Sequence, residues 1–288
     1  MRSVAKVSTR EDNFLNMLFL MVKMFTLGKF ACGYCESYKL SNGHWAQNCP
    51  LRAFRSIIEN YEHWKQVTDE DKKKVKDFKN CSGIPLVLPK ETKEDTYIID
   101  YMALPALHLI LGAFNKLWDN LLEVAPEINS VAQDLGTVRE DYFGNNFEGN
   151  EVNKLLENTS KLRDVVDENL HIFIDCMDSL QAMKLSCFGY SLGPGWRKAI
   201  QRFKDDWTQL VIEYDVATPN KVHIIFDHLA TFIDRQKSPL GEFSEQVVEA
   251  AHQKLDKISQ WYIVKMVESE KHGKKFLDCI NHFNSMNI

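Results

Sequence analysis

The sequence predicts a mainly α-helical fold, and three observations carry that prediction. Apolar residues recur at i, i+3 and i+4 along most of the 288 residues. Only 13 Gly and 8 Pro are present, too few for a turn-rich β architecture. The 44% hydrophobic content is enough for one large domain or two small ones, and a 26% charged content suits a folded chain.

The elements follow in order. Residues 4–7 suit one short strand, and the periodicity is helical from Phe14 onward. The apolar run 14–22 is too short to span a bilayer. Glu11 and Asp12 precede it, where a signal peptide carries positive charge. Pro50 opens a helical stripe of Leu51, Phe54, Ile57, Ile58, Tyr61 and Trp64. Thr68 with Asp71 has the pattern of a helix N-cap. Residues 82–100 form a loop with Pro85 and Pro89. Pro105 starts an apolar helix of Leu107, Ile110, Leu111, Phe114, Leu117, Trp118 and Leu121.

A Gly- and Asn-rich loop follows over 136–149. Asn150 caps a helical stretch reaching Lys184, the run 186–195 breaks it, and 196–216 is amphipathic again. Thr218 and Pro219 supply a cap and a first turn for a helix through His223 and His228. Residues 238–241 turn the chain, and Ser244 caps a last helix bearing Glu245, Glu249 and Trp261. Trp118, Trp196, Trp207 and Trp261 fall on helical stripes and belong to the core.

The net charge of −5 and a pI near 6.0 argue against a domain that binds DNA through phosphates alone. The densest basic run is Lys72, Lys73, Lys74, Lys76 and Lys79. Asp69, Glu70, Asp71 and Asp77 interrupt it, as on a solvated helix face. Seven cysteines with a single close pair are not a secreted disulfide framework, so a reducing compartment is expected. Cys81, Cys176, Cys187 and Cys279 have no paired spacing and suit small buried apolar positions.

The sharpest local feature is Cys32-Gly33-Tyr34-Cys35. A Cys-x2-Cys loop presents two thiolates to one tetrahedral ion, usually zinc, and needs two more ligands. Two completions are open. His44 and Cys49 lie nearby, in a pattern similar to the CCHC zinc knuckle of retroviral nucleocapsid proteins. Eight residues separate Cys35 from His44, where the knuckle has four. A knuckle would imply single-stranded nucleic-acid binding. The remote completion is His223 and His228, spaced His-x4-His. On an ideal helix these imidazoles stand about 140° apart, so one must sit at a frayed turn or reach around. Zinc there would be structural and would close a very long loop.

The order of these pieces carries a resemblance. Asp12 precedes Cys32 and Cys35; His223 and His228 come much later; the run Phe243-Ser244-Glu245-Gln246-Val247-Val248-Glu249 follows. This order resembles the catalytic subunit of the V(D)J recombinase and its Transib- and Chapaev-type transposon relatives. Phe147-Glu148-Gly149-Asn150, and Leu107 to Gly112, are similar to motifs of that family's helical insertion.

The resemblance implies a remnant of an RNase H-like α/β core at residues 1–31, a zinc-stapled helical insertion at 32–237, and C-terminal helices at 238–288. Asp12 would be the second catalytic acid of a DDE set and Glu249 the third, with Glu245 one turn away as its alternative. Such acids hold two Mg²⁺ ions for DNA cleavage and strand transfer. The sequence opens at the second acid, so the expectation is that this chain alone neither cuts nor joins DNA. DNA as the ancestral partner, a homodimer, no membrane association, and a nuclear location with the cytoplasm as the alternative complete the expectations. A competing expectation is a zinc-stapled helical module that binds a protein or single-stranded nucleic acid.

Overall fold

A computed structural model of the chain describes residues 30–41, 43–81, 96–139 and 145–243. The expected strand at 4–7, Asp12, the apolar run 14–22, Glu245, Glu249, Trp261 and Cys279 all lie outside the described residues. So does nearly all of the segment assigned to an RNase H-like remnant. The described residues fall in one compact unit that ends at Phe243.

The described fold is mainly helical and holds no sheet. Among the described residues nine α-helices run in order: α1 Phe54–Gln66, α2 Asp69–Lys72, α3 Ala106–Val124, α4 Ile128–Asp134, α5 Gly149–Leu156, α6 Thr159–Arg163, α7 His171–Cys187, α8 Trp196–Tyr214 and α9 Asn220–Gln236. The longest four build the core. α7 packs along α8, and α3 lies against both α7 and α9. Their inward stripes include Phe114, Trp118, Phe173, Phe203, Trp207 and Phe232, all fully buried. Each such side chain contributes roughly 1.5–3 kcal/mol by leaving water. Cys81, Cys176 and Cys187 are buried among them, as their spacing predicts. Trp196 is only partly buried.

Several boundaries differ from the sequence reading. Pro50 does not open a helix, because the backbone of 50–53 is already engaged. Glu36 donates to the Pro50 carbonyl (2.9 Å), Arg52 donates to Tyr34 (2.9 Å), and Ile98 donates to Arg52 (3.0 Å). Helix α1 therefore begins at Phe54. The end of the expected 82–100 loop belongs to the core: Ile98 and Ile99 are buried in a 3₁₀ turn, and Tyr97 pairs with Ala53. Residues 82–95 lie outside the described residues.

The continuous stretch expected from Asn150 to Lys184 is divided into α5, α6, a 3₁₀ turn and α7. Asn158 helps end α5, since its side-chain amide donates to the Lys154 carbonyl (2.8 Å) and satisfies a group left open at the helix end. Helix α5 starts at Gly149, with Glu148 in the cap position rather than Asn150. The Thr68 cap is present, its hydroxyl accepting from the Asp71 amide at 3.2 Å.

The loop before α5 is clamped by α3. Buried Asn115 accepts from the Phe147 amide (2.8 Å) and donates to the Phe147 carbonyl (3.1 Å). One side chain thereby satisfies both polar groups of a buried loop residue. Gly112, on the same helix, faces the Lys221 side chain of α9. A Cβ there would stand 2.0 Å from the Lys221 side chain.

Candidate metal centre

Two parts of the chain meet at one buried cluster. The first is an extended hairpin built on the segment 34–52. Leu40 donates to His44 (2.8 Å) and Ala46 donates to Tyr38 (3.0 Å) near its tip. Lys39 pairs with Trp45 there, and Cys35 pairs with Leu51 near its base. The described residues between Cys35 and His44 belong to this hairpin and not to a tight knuckle turn. The second part is the first half of α9.

The chain entering the Cys pair is held by three long-range donors. Asn80 donates to the Phe30 carbonyl (3.0 Å), Asn220 to Ala31 (3.1 Å), and Arg52 to Cys32 (3.1 Å). Three consecutive carbonyls are thus fixed by side chains from three separate segments. Tyr34 donates its hydroxyl to Ala103 at 2.8 Å. Within the loop, the Tyr34 amide donates to Cys32 Sγ and the Ser37 amide to Cys35 Sγ, each at 3.4 Å.

Helix α9 supplies the imidazoles. The His223 amide donates to the Pro219 carbonyl at 3.0 Å, so the first turn is intact and not frayed. The two rings converge by side-chain torsion, with centroids 5.1 Å apart and planes at 90°. Pro219 stands in the cap position, one residue later than the sequence suggests. The Thr218 carbonyl is engaged by Trp45 Nε1 (3.0 Å), and the Trp45 indole stacks on His223, centroids 3.9 Å apart and planes within 5°.

The result is a four-residue constellation. Cys32, Cys35, His223 and His228 are all buried, and their ligand atoms lie within 4.8 Å of one another. Cys32 Sγ is 3.4 Å from His228 Nε2, across 196 residues of sequence. Cys35 Sγ is 3.3 Å from His223 Nε2, across 188 residues. Ligands of a tetrahedral ion, with sulfur at 2.3 Å and nitrogen at about 2.05 Å, would stand about 3.6 Å apart. The cluster can therefore hold a metal ion with little movement.

His223 Nδ1 lies 2.9 Å from Asp227 Oδ2, and Lys204 Nζ donates to Asp227 Oδ1 at 3.0 Å. A carboxylate behind a ligating imidazole fixes the tautomer and leaves Nε2 free for an ion. Burial would raise the Asp227 carboxyl, but its bonds to His223 and Lys204 outweigh this and hold it at about 2. That folded value lies below the usual one near 3.9, so the pairing stabilises the fold above about pH 4 and is lost as pH falls toward 2. His223 Nδ1 and His228 Nδ1 are both buried without a hydrogen bond of good geometry among the described residues, so Asp227 holds His223 by charge and proximity. Burial pushes the Cys32 thiol up from its ordinary value. A bond with Cys35 adds to this, and bonds to the two imidazoles only partly offset it.

The local alternative is placed differently. His44 sits at the hairpin tip, its Nε2 3.9 Å from Asp215 Oδ1, and is not part of the cluster. Cys49 does adjoin the cluster, 3.8 Å from His223 Nε2 and 3.7 Å from His228 Nε2. The sequence reading passes over both Arg52 and Asp227. A charge four residues after a histidine on one helix face is a pattern that points to Asp227.

An Asp227→Asn variant should keep its fold and bind the ion roughly 10–100-fold more weakly, since it loses the charge behind His223. Competition with a chelating dye measures this, and an unchanged affinity would remove Asp227 from the centre. No protein-family model matches the chain, and no curated protein matches it. No described helix is long and apolar enough to cross a membrane.

Proposed function

We propose that this chain is DDE-transposase-like, and that residues 32–237 form its helical insertion, closed at the base by a structural zinc. One observation supports the reading above all others. The Cys pair and the His pair, close to 190 residues apart, converge in a single buried cluster. A plain helical scaffold has no reason to bring two thiols and two imidazoles together, and the resemblance to the V(D)J recombinase subunit and its transposon relatives does.

The ion is zinc in this reading, because two thiolates and two imidazoles are a soft, closed donor set that suits it. Four protein ligands leave no open position, so the role is to hold the ends of the insertion and not to activate water. Catalysis in the intact ancestor, in this reading, belongs to a Mg²⁺-binding acid set that includes Asp12 and Glu249, with Glu245 as the alternative to Glu249; all three lie outside the described residues. The reading implies a nuclear location, with the cytoplasm as the alternative, and DNA as the partner of the intact ancestor.

The test has two arms. Elemental analysis of the purified chain should give about one zinc per chain, lost in a Cys32→Ala/Cys35→Ala double variant. In a nicking and strand-transfer assay with Mg²⁺ or Mn²⁺, the chain alone should neither cut nor join DNA. Activity that disappears in both Asp12→Ala and Glu249→Ala would show that another residue completes the acid set, and activity that survives both would overturn the catalytic assignment and leave the zinc assignment standing.

A second reading, a zinc-stapled module that binds a protein partner, draws on the charge pattern of the outer helix faces. Arg163 pairs with Asp175 and Asp178, Arg197 with Asp234, Arg235 with Asp100, and Lys204 with Asp227. These cations are already compensated, which weakens their pull on phosphates. Retention of zinc with no activity and no DNA binding at low salt would favour this reading.

A further inference from the structure

We propose that Cys49 is a reserve sulfur ligand of the metal centre, so that the site offers three sulfurs and two nitrogens to a thiophilic dication. The proposal rests on the metal site described above and adds a donor to it. Its basis is position. Cys49 Sγ stands 3.7 Å from His228 Nε2 and 3.8 Å from His223 Nε2. These separations are close to the roughly 3.6 Å expected between sulfur and nitrogen ligands of one tetrahedral ion. No single imidazole owns this thiol, since it is equidistant from both.

The backbone holds it there. Cys49 precedes Pro50, whose carbonyl accepts from Glu36, and Leu51 pairs with Cys35. The same hairpin base thus carries Cys35 and Cys49 on neighbouring strands. The thiol is not a small apolar filler like Cys176 or Cys187. It is half-buried beside two imidazole nitrogens, while Cys32 and Cys35 are fully buried. The nearby Asp227 carboxylate is a poorer candidate for the ion, because His223 and Lys204 already engage its oxygens.

Cys49 lies outside the set of four whose ligand atoms are all within 4.8 Å of one another, so it stands in reserve beside an ion that normally takes four ligands. Sulfur is the softer donor, so an ion with a stronger preference for thiolate than zinc should recruit Cys49. The same thiol should substitute when an imidazole is lost.

X-ray absorption at the metal edge of the Cd²⁺-loaded full chain counts its sulfur ligands. Three sulfurs are expected in the wild type and two in Cys49→Ala; two in both overturns the proposal. The second measurement is zinc content. His228→Ala should retain close to one zinc per chain, and His228→Ala/Cys49→Ala less than about a tenth of that. Equal zinc in the two variants overturns the proposal. Two sulfurs in a fully loaded wild type sinks the role of Cys49 alone. A wild type that binds neither ion sinks the metal site and Cys49 with it.

Discussion

Removal of zinc by a chelator is expected to lower the unfolding free energy of the chain by about 5 kcal/mol, the cross-link value for closing a loop of roughly 190 residues. Against a typical net stability of about 5–15 kcal/mol, this is a large fraction. For a domain of this size it corresponds to a fall in Tm of about 10–20 °C. The loss should be local at first. The core of α3, α7, α8 and α9 is held by its own buried aromatic residues, whereas the described part of 30–53 should depend on the proposed ion and a few long-range hydrogen bonds. Hydrogen exchange should therefore rise in the hairpin and the first turn of α9, with slow exchange persisting in α3 and α7.

Acid should act in the same direction. The buried Cys32 thiol holds its proton more tightly than usual when no ion is present, so ion binding must expel that proton. Affinity should fall by about 1.4 kcal/mol per pH unit for that proton as the solution is acidified. Thermal unfolding with and without chelator, at two pH values, checks both statements. Equal Tm values in the zinc-loaded and chelated chain would show that the cluster is ordinary packing.

What the sequence disclosed follows from the range of the forces involved. The helices were visible because their stripes are local. The run Leu107 to Leu121 predicts α3 from its own spacing, and Trp118 is buried as expected. The Thr68 cap was visible for the same reason. Residues 50–53 misled because Pro50 is a good helix opener by itself, and only pairing with Tyr34 and Ile98 makes the segment extended. The division of 150–184 was missed because Asn158 acts through a single side-chain bond to a carbonyl, a signal no periodicity carries.

The metal cluster is a different case. The spacing Cys-x2-Cys and His-x4-His named the residue types, but it left His44 and Cys49 open beside His223 and His228. The family order favoured the remote pair, and nothing in the composition could join positions 32 and 228. The ideal-helix angle even argued against the His pair. The structure keeps the helix intact and turns the rings toward each other. Cys49 was singled out for the wrong partner set, since it approaches the remote imidazoles and His44 does not.

Arg52 is the residue whose loss should be felt most after the ligands themselves. Its side chain is fully buried, an uncommon place for a guanidinium, and it acts as a bracket. One nitrogen donates to the Lys79 carbonyl and another to the Cys32 carbonyl, both at 3.1 Å, with Cys81 Sγ at 3.5 Å. Its backbone joins Tyr34 to Ile98. Glu36 lies near enough to feel its charge. Burial would raise that carboxyl, but bonds to Lys79 and Ser56 and the charges of Lys79 and Arg52 outweigh this and lower it.

Arg52→Met keeps much of the volume, strands the buried Cys32 carbonyl and leaves the part-buried Lys79 carbonyl with only the weak Cys81 thiol donor, at a cost of about 1–3 kcal/mol each. A total loss near 3–5 kcal/mol is expected, comparable to breaking a buried charge network. Because the Cys32 carbonyl is one of the two, zinc affinity should drop as well, by roughly 10–100-fold. Arg52→Lys should recover part of the stability and little of the affinity, since a single ammonium cannot span both carbonyls as the planar fork does. A purely packing role for Arg52 would lower the urea midpoint in Arg52→Met and leave the zinc dissociation constant where it was. That split, measured by dye competition on folded protein, decides whether the bracket belongs to the metal centre.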